Sequence, residues 1–396
     1  MQIIGRRYDN GEAVVVEIRE GRILRLAPAA LNQHLPWLAP GFIDVQVNGY
    51  HGQEFNDPAL TVDKVVHVCR AMDADGVTGF CPTSTTHSFE MQANTMRMLA
   101  SACERSTDVA ARVVGFHLEG PYISPIDGPR GAHPLEHCRP PDWDEFCRLQ
   151  TAAGGRIRIL TMSPEYEAAP QFITRVVATG VIVAIGHTSA DSDQIQAAVD
   201  AGARMSTHLG NGAHGQIRRH PNYIWDQLAE DRLIASLIVD GHHLPPAVVQ
   251  SFVRGKTAAR CVLVSDLVGM AGMPPGPYTN TSIGDIEILE NGRIVVAGQR
   301  QYLAGAGLPI TYGIANVMQF AQVDLCTAID MASRWPAQLV GVQSGLHVGA
   351  PANLVLFDFS PGEAPIRIHA TINGGEVVYK QGRELGVEGR GPDKLA

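Results

Sequence analysis

The sequence predicts an α/β fold: a (β/α)8 barrel of the TIM type with a small β-sandwich domain built from both chain termini. Short apolar runs alternate with helical stretches between residues 42 and 265, as is typical of buried parallel strands joined by crossover helices. Several of these runs end in a residue that can bind a metal or move a proton. The first and last segments instead alternate as short strands separated by turns, which indicates a second, smaller β unit.

Length and composition limit the classes of protein to which this chain can belong. Its 396 residues suit one large barrel plus a minor domain. A net charge of −9 and scattered Lys and Arg residues argue against a nucleic-acid surface. Seven cysteines without a Cys-x-x-Cys motif fit a reducing compartment. Because the chain shows no signal peptide and no run of about 20 apolar residues, we expect a cytoplasmic protein without a membrane partner.

The two ends of the chain supply the predicted β domain. Its strands cover residues 14–18, 23–26, 352–357, 368–372 and 377–379. Turns at Glu20-Gly21 and Gly374-Gly375 separate neighbouring strands, because glycine adopts the backbone angles that tight turns require. We therefore assign residues 1–40 plus 346–388 to the small β domain and residues 41–345 to the barrel.

Buried runs predict the barrel strands between these segments. They cover residues 42–48, 77–81, 112–118, 156–162, 181–186, 204–208, 234–240 and 261–265. The connecting helix after the fifth run is marked most clearly: Asp191 or Ser192 can cap its N-terminus, and Gly202 ends it. Its apolar stripe consists of Ile195, Ala198 and Val199, a spacing that places all three on one helix face.

Three residues at different strand ends form a candidate metal site. Glu119, His187 and His208 offer one carboxylate and two imidazoles, which is a known ligand set of catalytic zinc. Zinc lowers the pKa of its water to about 7. Asp266, after the last barrel strand, can take that proton and return it to a leaving amine. A single histidine at a strand end is more often a structural hydrogen-bonding residue, so the prediction depends on the joint occurrence of these residues.

A series of short motifs runs along nearly the whole chain. They are Pro-Gly-Phe-Ile-Asp-Val-Gln-Val-Asn-Gly at 40–49, His-Leu-Glu-Gly-Pro at 117–121, Gly-Ala-His at 131–133, Gly-His-Thr at 186–188, Thr-His-Leu-Gly-Asn at 207–211, Asp-Gly-His-His at 240–243 and Ser-Asp at 265–266. In identity and order they resemble the N-acetylglucosamine-6-phosphate deacetylase family of the amidohydrolase superfamily. The motif at 117–121 is specific to that family, whereas an aspartate after an apolar strand is shared by the whole superfamily.

The resemblance implies a role for each matching residue. The implied metal ligands are Glu119, His187 and His208, the general acid/base is Asp266, and the residue that polarises the acetyl carbonyl is His133. The residues implied to hold the sugar and its phosphate are His243, Asn211, Gly212 and Arg219. In the family this arginine reaches the phosphate across a dimer interface, so a homodimer is also implied. A solvated surface pair formed by Arg218 and Arg219 is the other interpretation of that arginine.

The first barrel strand bears on the number of metal ions. Superfamily members with two metals carry His-x-His there, whereas this chain has Gln46-Val47-Asn48. Neutral amides replace imidazole poorly on zinc. The resembling family has a subgroup with Gln-x-Asn and one metal, so we expect one divalent ion, zinc first, with iron, manganese and cobalt also suited to the ligands. Gln46 and Asn48 are then expected to form hydrogen bonds around the metal site at the barrel mouth.

The resemblance implies a hydrolase that removes the acetyl group from an N-acetylated amino sugar, above all N-acetylglucosamine-6-phosphate, and releases acetate and the amino sugar phosphate. The sequence departs from the family at residues 210–215, with extra glycines and His214, and at residues 267–270. These segments line the sugar pocket in the family. An amidohydrolase acting on another N-acyl or cyclic amide substrate without phosphate is therefore the alternative. A non-catalytic barrel is a third interpretation, against which the retained metal and acid/base residues argue.

Overall fold

The structure is a computed structural model that describes residues 1–30, 34–281 and 283–381. In chain order, its strands are β1 (Gln2–Arg7), β2 (Ala13–Arg19), β3 (Arg22–Pro28), β4 (Trp37–Pro40), β5 (Phe42–Val47), β6 (Gly49–Tyr50), β7 (Gln53–Glu54), β8 (Val77–Ser84), β9 (Phe116–Glu119), β10 (Ile157–Met162), β11 (Ile182–Ile185), β12 (Met205–Ser206), β13 (Ile234–Leu237), β14 (Cys261–Leu263), β15 (Gly276–Thr281), β16 (Gly284–Ile288), β17 (Ile294–Val296), β18 (Gln299–Leu303), β19 (Leu354–Asp358), β20 (Arg367–Asn373) and β21 (Glu376–Lys380). Its helices are α1 (Val62–Asp73), α2 (Phe89–Arg105), α3 (Thr107–Arg112), α4 (Trp143–Ala152), α5 (Ala169–Ala178), α6 (Ser192–Asp200), α7 (Tyr223–Ala229), α8 (Pro246–Lys256), α9 (Ile310–Ala321), α10 (Leu325–Ala332) and α11 (Arg334–Val340).

Eight parallel strands form the barrel sheet, in the hydrogen-bonded order β5-β8-β9-β10-β11-β12-β13-β14. Because their residues are almost all buried, the strands appear in the sequence as short, largely apolar runs. The predicted TIM-type barrel is therefore confirmed, with one strand at each predicted run; β8 and β9 extend beyond theirs, to Ser84 and Glu119. The third strand begins at Phe116 rather than at residue 112, because residues 107–112 form α3.

Several barrel strands end earlier than the sequence predicts, one to three residues before a candidate site residue. Strand β11 stops at Ile185 and β12 at Ser206. The residues that follow leave the extended conformation: φ is +49° at His187, +30° at His208 and +55° at Asp266. Positive φ is uncommon for residues other than glycine. The chain therefore turns sharply where each strand delivers its functional side chain.

The barrel closes between its first and last strands. Val47 of β5 forms a parallel bridge with Leu267, which follows β14. The backbone N–H of Asn48 donates to the carbonyl of Leu267 at 2.8 Å. Leu267 also bridges to Ala306, so the segment after β14 lies between β5 and the segment that precedes α9. Closure brings the first strand against Asp266, although these parts of the sequence are far apart.

Both chain termini contribute to a seven-stranded mixed sheet, in the order β21-β20-β19-β4-β1-β2-β3. The predicted β unit built from both ends is thus confirmed, although its strands form one hydrogen-bonded sheet rather than the two sheets of a sandwich, because β4 pairs with both β1 and β19. Strand β4, which the sequence pattern does not predict, joins the two ends: it pairs parallel with β1 and antiparallel with β19. The domain limits at 1–40 plus 346–388 and 41–345 stay a prediction, and residues 382–388 lie outside the described residues.

A four-stranded antiparallel sheet, β15-β16-β17-β18, lies between β14 and α9. The sequence predicts no element here, because no residue of β15 is buried and only two of the five residues of β16 are. Its buried apolar residues, among those described, are Ile286, Ile288, Ile294 and Val295, and only the first two alternate with a polar residue, Glu287. A short sheet with one weakly apolar face leaves little signal in the sequence.

The helix predicted after the fifth barrel strand is confirmed as α6. The Asp191 side chain accepts from the backbone N–H of Gln194, and the Gln194 side chain accepts from the backbone N–H of Asp191, which completes a capping box. Ile195, Ala198 and Val199 are buried, as their spacing predicts. Across the described parts of the chain, no helix has the length and apolar character needed to cross a membrane.

Candidate active site

The three predicted metal ligands meet at the C-terminal mouth of the barrel. Glu119 is the last residue of β9, whereas His187 and His208 each lie two residues beyond a strand. Glu119 Oε1 is 3.0 Å from His208 Nε2 and 3.3 Å from His187 Nε2. The two Nε2 atoms are 3.0 Å apart. All three side chains are buried.

His133, on the loop after β9, lies against the same cluster. Its Nε2 is 3.2 Å from His187 Nε2. Ligand atoms of Glu119, His133 and His187 all lie within 4.8 Å of one another, so this Glu/His/His group can hold a metal ion. The sequence predicts a contact of His133 with the substrate carbonyl. The structure places it close enough to the predicted ligands to touch either the ion or a group bound beside it.

The hydrogen bonding of His187 supports a cation at this point. Its Nδ1 is 2.9 Å from the carbonyl oxygen of Pro129, which can only accept, so Nδ1 carries the proton of the neutral ring. His187 therefore directs the Nε2 lone pair at its neighbours, two of which are imidazole nitrogens as well. Tetrahedral zinc with bonds of about 2.0–2.1 Å separates its ligand atoms by roughly 3.3 Å. Both the donor types and their spacing fit a divalent ion.

The electrostatics of the cluster suit metal binding. Burial alone would raise the pKa of Glu119, but the neighbouring imidazoles of His187 and His208 outweigh it and hold the pKa well below its usual range. Burial lowers the pKa of His133 to about 3, so this imidazole is neutral. An ionised carboxylate beside a neutral imidazole is the protonation state that metal binding requires.

Gln46 and Asn48 contact carboxylates at this site. Gln46 donates from Nε2 to Glu119 Oε1 at 2.9 Å, and Asn48 donates from Nδ2 to Asp266 Oδ1 at 2.8 Å. The amide oxygens Gln46 Oε1 and Asn48 Oδ1 are buried, and neither has a hydrogen-bond partner among the residues that the structure describes. Both amides therefore act as hydrogen-bond donors beside the candidate metal ligands.

Asp266 lies next to the cluster, after β14. Burial, followed by the negative charge of Glu119, raises the pKa of Asp266 to about 6. A carboxylate with such a pKa is mostly ionised at neutral pH and can both accept and return a proton. Its chemistry therefore matches that of a general acid/base.

The residues predicted to hold the substrate lie in the loops around this mouth. His243 Nδ1 donates to Asp240 Oδ2 at 2.7 Å, and Asp240 is a partner that the sequence reasoning missed, although it lies only three residues before His243. Asn211 Nδ2 donates to the carbonyl of His208 at 3.3 Å. Arg219 lies in an exposed segment, and its side chain forms no hydrogen bond or ion pair with any described residue.

The altered loop after His208 has a contact of its own. His214 Nδ1 and Tyr223 Oη are 2.9 Å apart, and the backbone N–H of His214 donates to the same hydroxyl. Tyr223 is the first residue of α7, so the loop is tied to the helix that follows it. No sequence motif identified Tyr223, because its partner lies in the segment where this chain departs from the family pattern.

Comparison with known proteins assigns the family. The sequence profile of the amidohydrolase family matches residues 37–383. The chain belongs to the amidohydrolase family. The N-acetylglucosamine-6-phosphate deacetylase of Bos taurus is 33% identical over 355 residues, which are 87% of this chain and 83% of the relative. The N-acetylgalactosamine-6-phosphate deacetylase of Escherichia coli O157:H7 is 32% identical over 351 residues, 87% of this chain and 90% of the relative.

Solved structures resemble this amidohydrolase along almost its whole length. N-acetyl-D-glucosamine-6-phosphate deacetylase from Mycobacterium smegmatis, solved in complex with N-acetyl-D-glucosamine-6-phosphate, has a TM-score of 0.84 at 27% identity. The match covers 95% of this chain and 99% of that one. The enzyme from Thermotoga maritima has a TM-score of 0.82 at 25% identity and covers 96% of this chain and 98% of its own. This amidohydrolase is therefore an enzyme similar to N-acetylglucosamine-6-phosphate deacetylases.

Two glycines enclose the ring of His187, and one of them yields a prediction for this amidohydrolase. A Cβ added to Gly212, where φ is +54°, would lie 2.6 Å from His187 Nδ1. We expect Gly212→Ala to displace the ring and to lower bound metal and turnover by about 10- to 100-fold, as for other residues that orient metal ligands. Elemental analysis after dialysis and steady-state rates measure both. Gly215→Ala, whose Cβ would meet open space, is the matched control and should behave as the unmodified protein.

Proposed function

We propose that this enzyme removes the acetyl group from an N-acetylated amino sugar phosphate, with N-acetylglucosamine-6-phosphate as the first candidate. The observation that carries the proposal is the meeting of Glu119, His187 and His208 with Asp266 at one barrel mouth. The relatives named for this reaction on two epimeric sugars, in Bos taurus and Escherichia coli, support the substrate class. The products would be acetate and the free amino sugar phosphate.

We assign Glu119, His187 and His208 as ligands of one divalent ion, zinc first, with iron, manganese and cobalt suited to the same donors. When bound, such an ion acts as a Lewis acid that lowers the pKa of a water and polarises the amide carbonyl. Glu119 is held for this task by Gln46, and His187 by the carbonyl of Pro129. The homodimer and the cytoplasmic location also stay proposals.

Asp266 carries the proton in the proposed reaction. Its carboxylate accepts a proton from the attacking water as the water oxygen forms its bond to the acetyl carbon. The protonated carboxyl then donates to the sugar nitrogen while the carbon–nitrogen bond breaks, so that acetic acid and the neutral amine leave and exchange a proton to give acetate and the ammonium form of the amino sugar. Because its pKa is raised to about 6, Asp266 can perform both transfers near neutral pH.

We assign His133 the hydrogen bond to the acetyl carbonyl oxygen. Its ring is neutral because burial lowers its pKa to about 3, and a neutral imidazole has a single N–H to donate. A donor at this oxygen stabilises the negative charge that develops there as water attacks.

The sugar is proposed to bind against the loops that carry His243, Asn211 and Gly212. His243 is oriented by Asp240 through Nδ1, which leaves Nε2 for a sugar hydroxyl. Asn211 and Gly212 lie on the loop after His208, where their polar groups can meet the phosphate. Arg219 supplies a positive charge for the phosphate, and a guanidinium suits phosphate geometry because it binds two oxygens at once.

The direct test is acetate release by the metal-replete enzyme. N-acetylglucosamine-6-phosphate, N-acetylgalactosamine-6-phosphate and the two unphosphorylated sugars are compared at matched concentrations. We expect turnover of a phosphosugar, with the better epimer identifying the natural substrate. Absence of turnover on all four, with metal bound, would contradict the proposed substrate class.

Replacement of Arg219 tests the phosphate contact. We expect Arg219→Ala to raise KM for the phosphosugar by about 10- to 100-fold, because one charged hydrogen bond contributes about 1.5–3 kcal/mol and 1.4 kcal/mol is tenfold. The unphosphorylated sugar should be unaffected. Arg218→Ala is the matched control, since its side chain is also exposed and immediately adjacent. Equal effects of the two substitutions would favour the solvated-pair interpretation.

Mixing two variants tests whether Arg219 acts across a dimer. In a dimer of Asp266→Asn with Arg219→Ala, one site combines an intact Asp266 with the partner's intact arginine. We expect subunit exchange between these variants to restore a low KM in a fraction of the sites. Failure to restore it, although dimers form and exchange, would place Arg219 in its own chain's site.

An amidohydrolase that acts on another N-acyl or cyclic amide without phosphate is the second candidate. The glycine-rich loop at residues 210–215 and the His214–Tyr223 contact favour it, because both alter the segment expected to meet the sugar. Under this alternative, Arg219→Ala has no effect on any substrate. A panel of N-acyl amino acids and cyclic amides, run beside the four sugars, distinguishes the two candidates.

A further inference from the structure

The backbone around Asp266 is held by the first barrel strand. The Asp266 N–H donates to the carbonyl of Gln46 at 3.0 Å. On one side of it, the Ser265 N–H lies 3.2 Å from both carboxylate oxygens of buried Asp44. On the other side, the carbonyl of Leu267 accepts from the N–H of Asn48 at 2.8 Å. Strand β5 thus fixes the main chain before, at and after the acid/base residue.

The side chain of Asp266 needs a separate restraint. Its φ of +55° is a conformation that residues other than glycine seldom adopt, and such positions persist where the surroundings determine them. Asn48 provides the side-chain contact, from Nδ2 to Oδ1 at 2.8 Å. The other oxygen, Oδ2, forms no hydrogen bond with any residue that the structure describes.

The two carboxylate oxygens of Asp266 are therefore not equivalent. Oδ1 already accepts the N–H of Asn48, whose amide nitrogen cannot accept a proton in return, so protonating Oδ1 would weaken that bond. Oδ2 keeps its lone pairs for the reacting groups. We infer that Asn48 is a positioning residue that holds Asp266 through Oδ1 and thereby makes Oδ2 the oxygen that exchanges the proton, an inference that rests on the proposed function.

An amide suits position 48 better than other polar side chains. A carboxylate there would have no proton to donate and would repel Asp266 at this distance. An amide stays uncharged at every physiological pH, so the contact neither adds charge to the metal cluster nor disappears as the pH changes. Gln46 offers a contrast on the same strand, because its amide restrains the proposed metal ligand Glu119 instead.

The test replaces Asn48 by a side chain of similar volume that has no hydrogen-bond donor. We expect Asn48→Leu to lower kcat by about 10- to 100-fold, with KM and the bound metal unchanged, because a misplaced acid/base costs turnover rather than binding. Asn48→Ala serves if leucine disturbs folding, and Asn48→Gln, which retains an N–H donor, should recover part of kcat. In a protein that already carries Asp266→Asn, the Asn48 substitution should lower kcat no further, since both substitutions act on the Asp266 carboxylate.

A crystal structure of metal-loaded Asn48→Leu gives a readout independent of substrate. We expect the Asp266 carboxylate to rotate or to occupy more than one orientation, while Glu119, His187 and His208 keep their positions. An unchanged carboxylate, or a normal kcat, would overturn the inference. Failure of the proposed function appears differently, as absent deacetylation by the unmodified enzyme, and the orientation of Asp266 in the variant then still decides the role of Asn48.

Discussion

Asp266→Asn is expected to lower kcat by about 10²- to 10⁴-fold while the protein keeps its fold and its metal. Asparagine has the shape of aspartate and its oxygen can still accept the hydrogen bond from Asn48, but its amide cannot take a proton from water at neutral pH. The loss should therefore appear in turnover rather than in substrate binding. Acetate release under saturating substrate, with metal measured by elemental analysis, provides the comparison.

Exposed Asp193, in the first turn of α6, supplies the control. Asp193→Asn changes the net charge by the same amount at an exposed side chain to which no catalytic or binding role is assigned, so its kcat should equal that of the unmodified enzyme. Near-normal turnover in Asp266→Asn would remove this residue from the mechanism. A parallel loss of metal would instead show that Asp266 helps to retain the ion.

Arg112→Met is expected to lower the free energy of unfolding by about 3–5 kcal/mol, the usual cost of leaving one member of a buried ion pair alone. Arg112 donates to Asp73 from Nε and Nη2, both at 2.8 Å, in a two-pronged arrangement. Their side chains are 5% and 3% exposed, so water cannot replace the lost contacts. The pair joins α3 to the end of α1, and the carbonyl of Asp73 also accepts from Thr371 of β20. Urea unfolding followed by circular dichroism measures the change.

Arg70→Met provides the matched control for this prediction. Arg70 lies on α1 and pairs with Asp108 at 3.4 Å, but its side chain is 68% exposed. Exposed pairs contribute about 0–1 kcal/mol, so this variant should unfold almost as the unmodified protein does. The double variant Arg112→Met/Asp73→Leu removes both charges and should recover much of the loss. Similar stability of Arg112→Met and Arg70→Met would contradict the importance assigned to the buried pair.

The sequence by itself determined the barrel and the identity of its candidate chemical residues. Buried parallel strands are recognisable because most residues in them are apolar over a short run, a local property. The predicted site residues follow such runs, and in a parallel barrel all strand ends meet at one face. Glu119, His187, His208 and Asp266 could therefore be grouped before any distance was known. The capping residues of α6 were equally local, which explains the agreement there.

Only the tertiary structure decided which atoms meet. Asn48 and Asp266 are 218 residues apart, and closure of the barrel between β5 and the end of β14 brings them together. The contact of His133 with His187 depends on how a long loop folds back over the mouth, which periodicity does not encode. The sheet formed by β15 to β18 escaped prediction because its strands bury few apolar residues. Local sequence determines strands and caps through side-chain periodicity, whereas contacts between distant segments depend on packing of the whole chain.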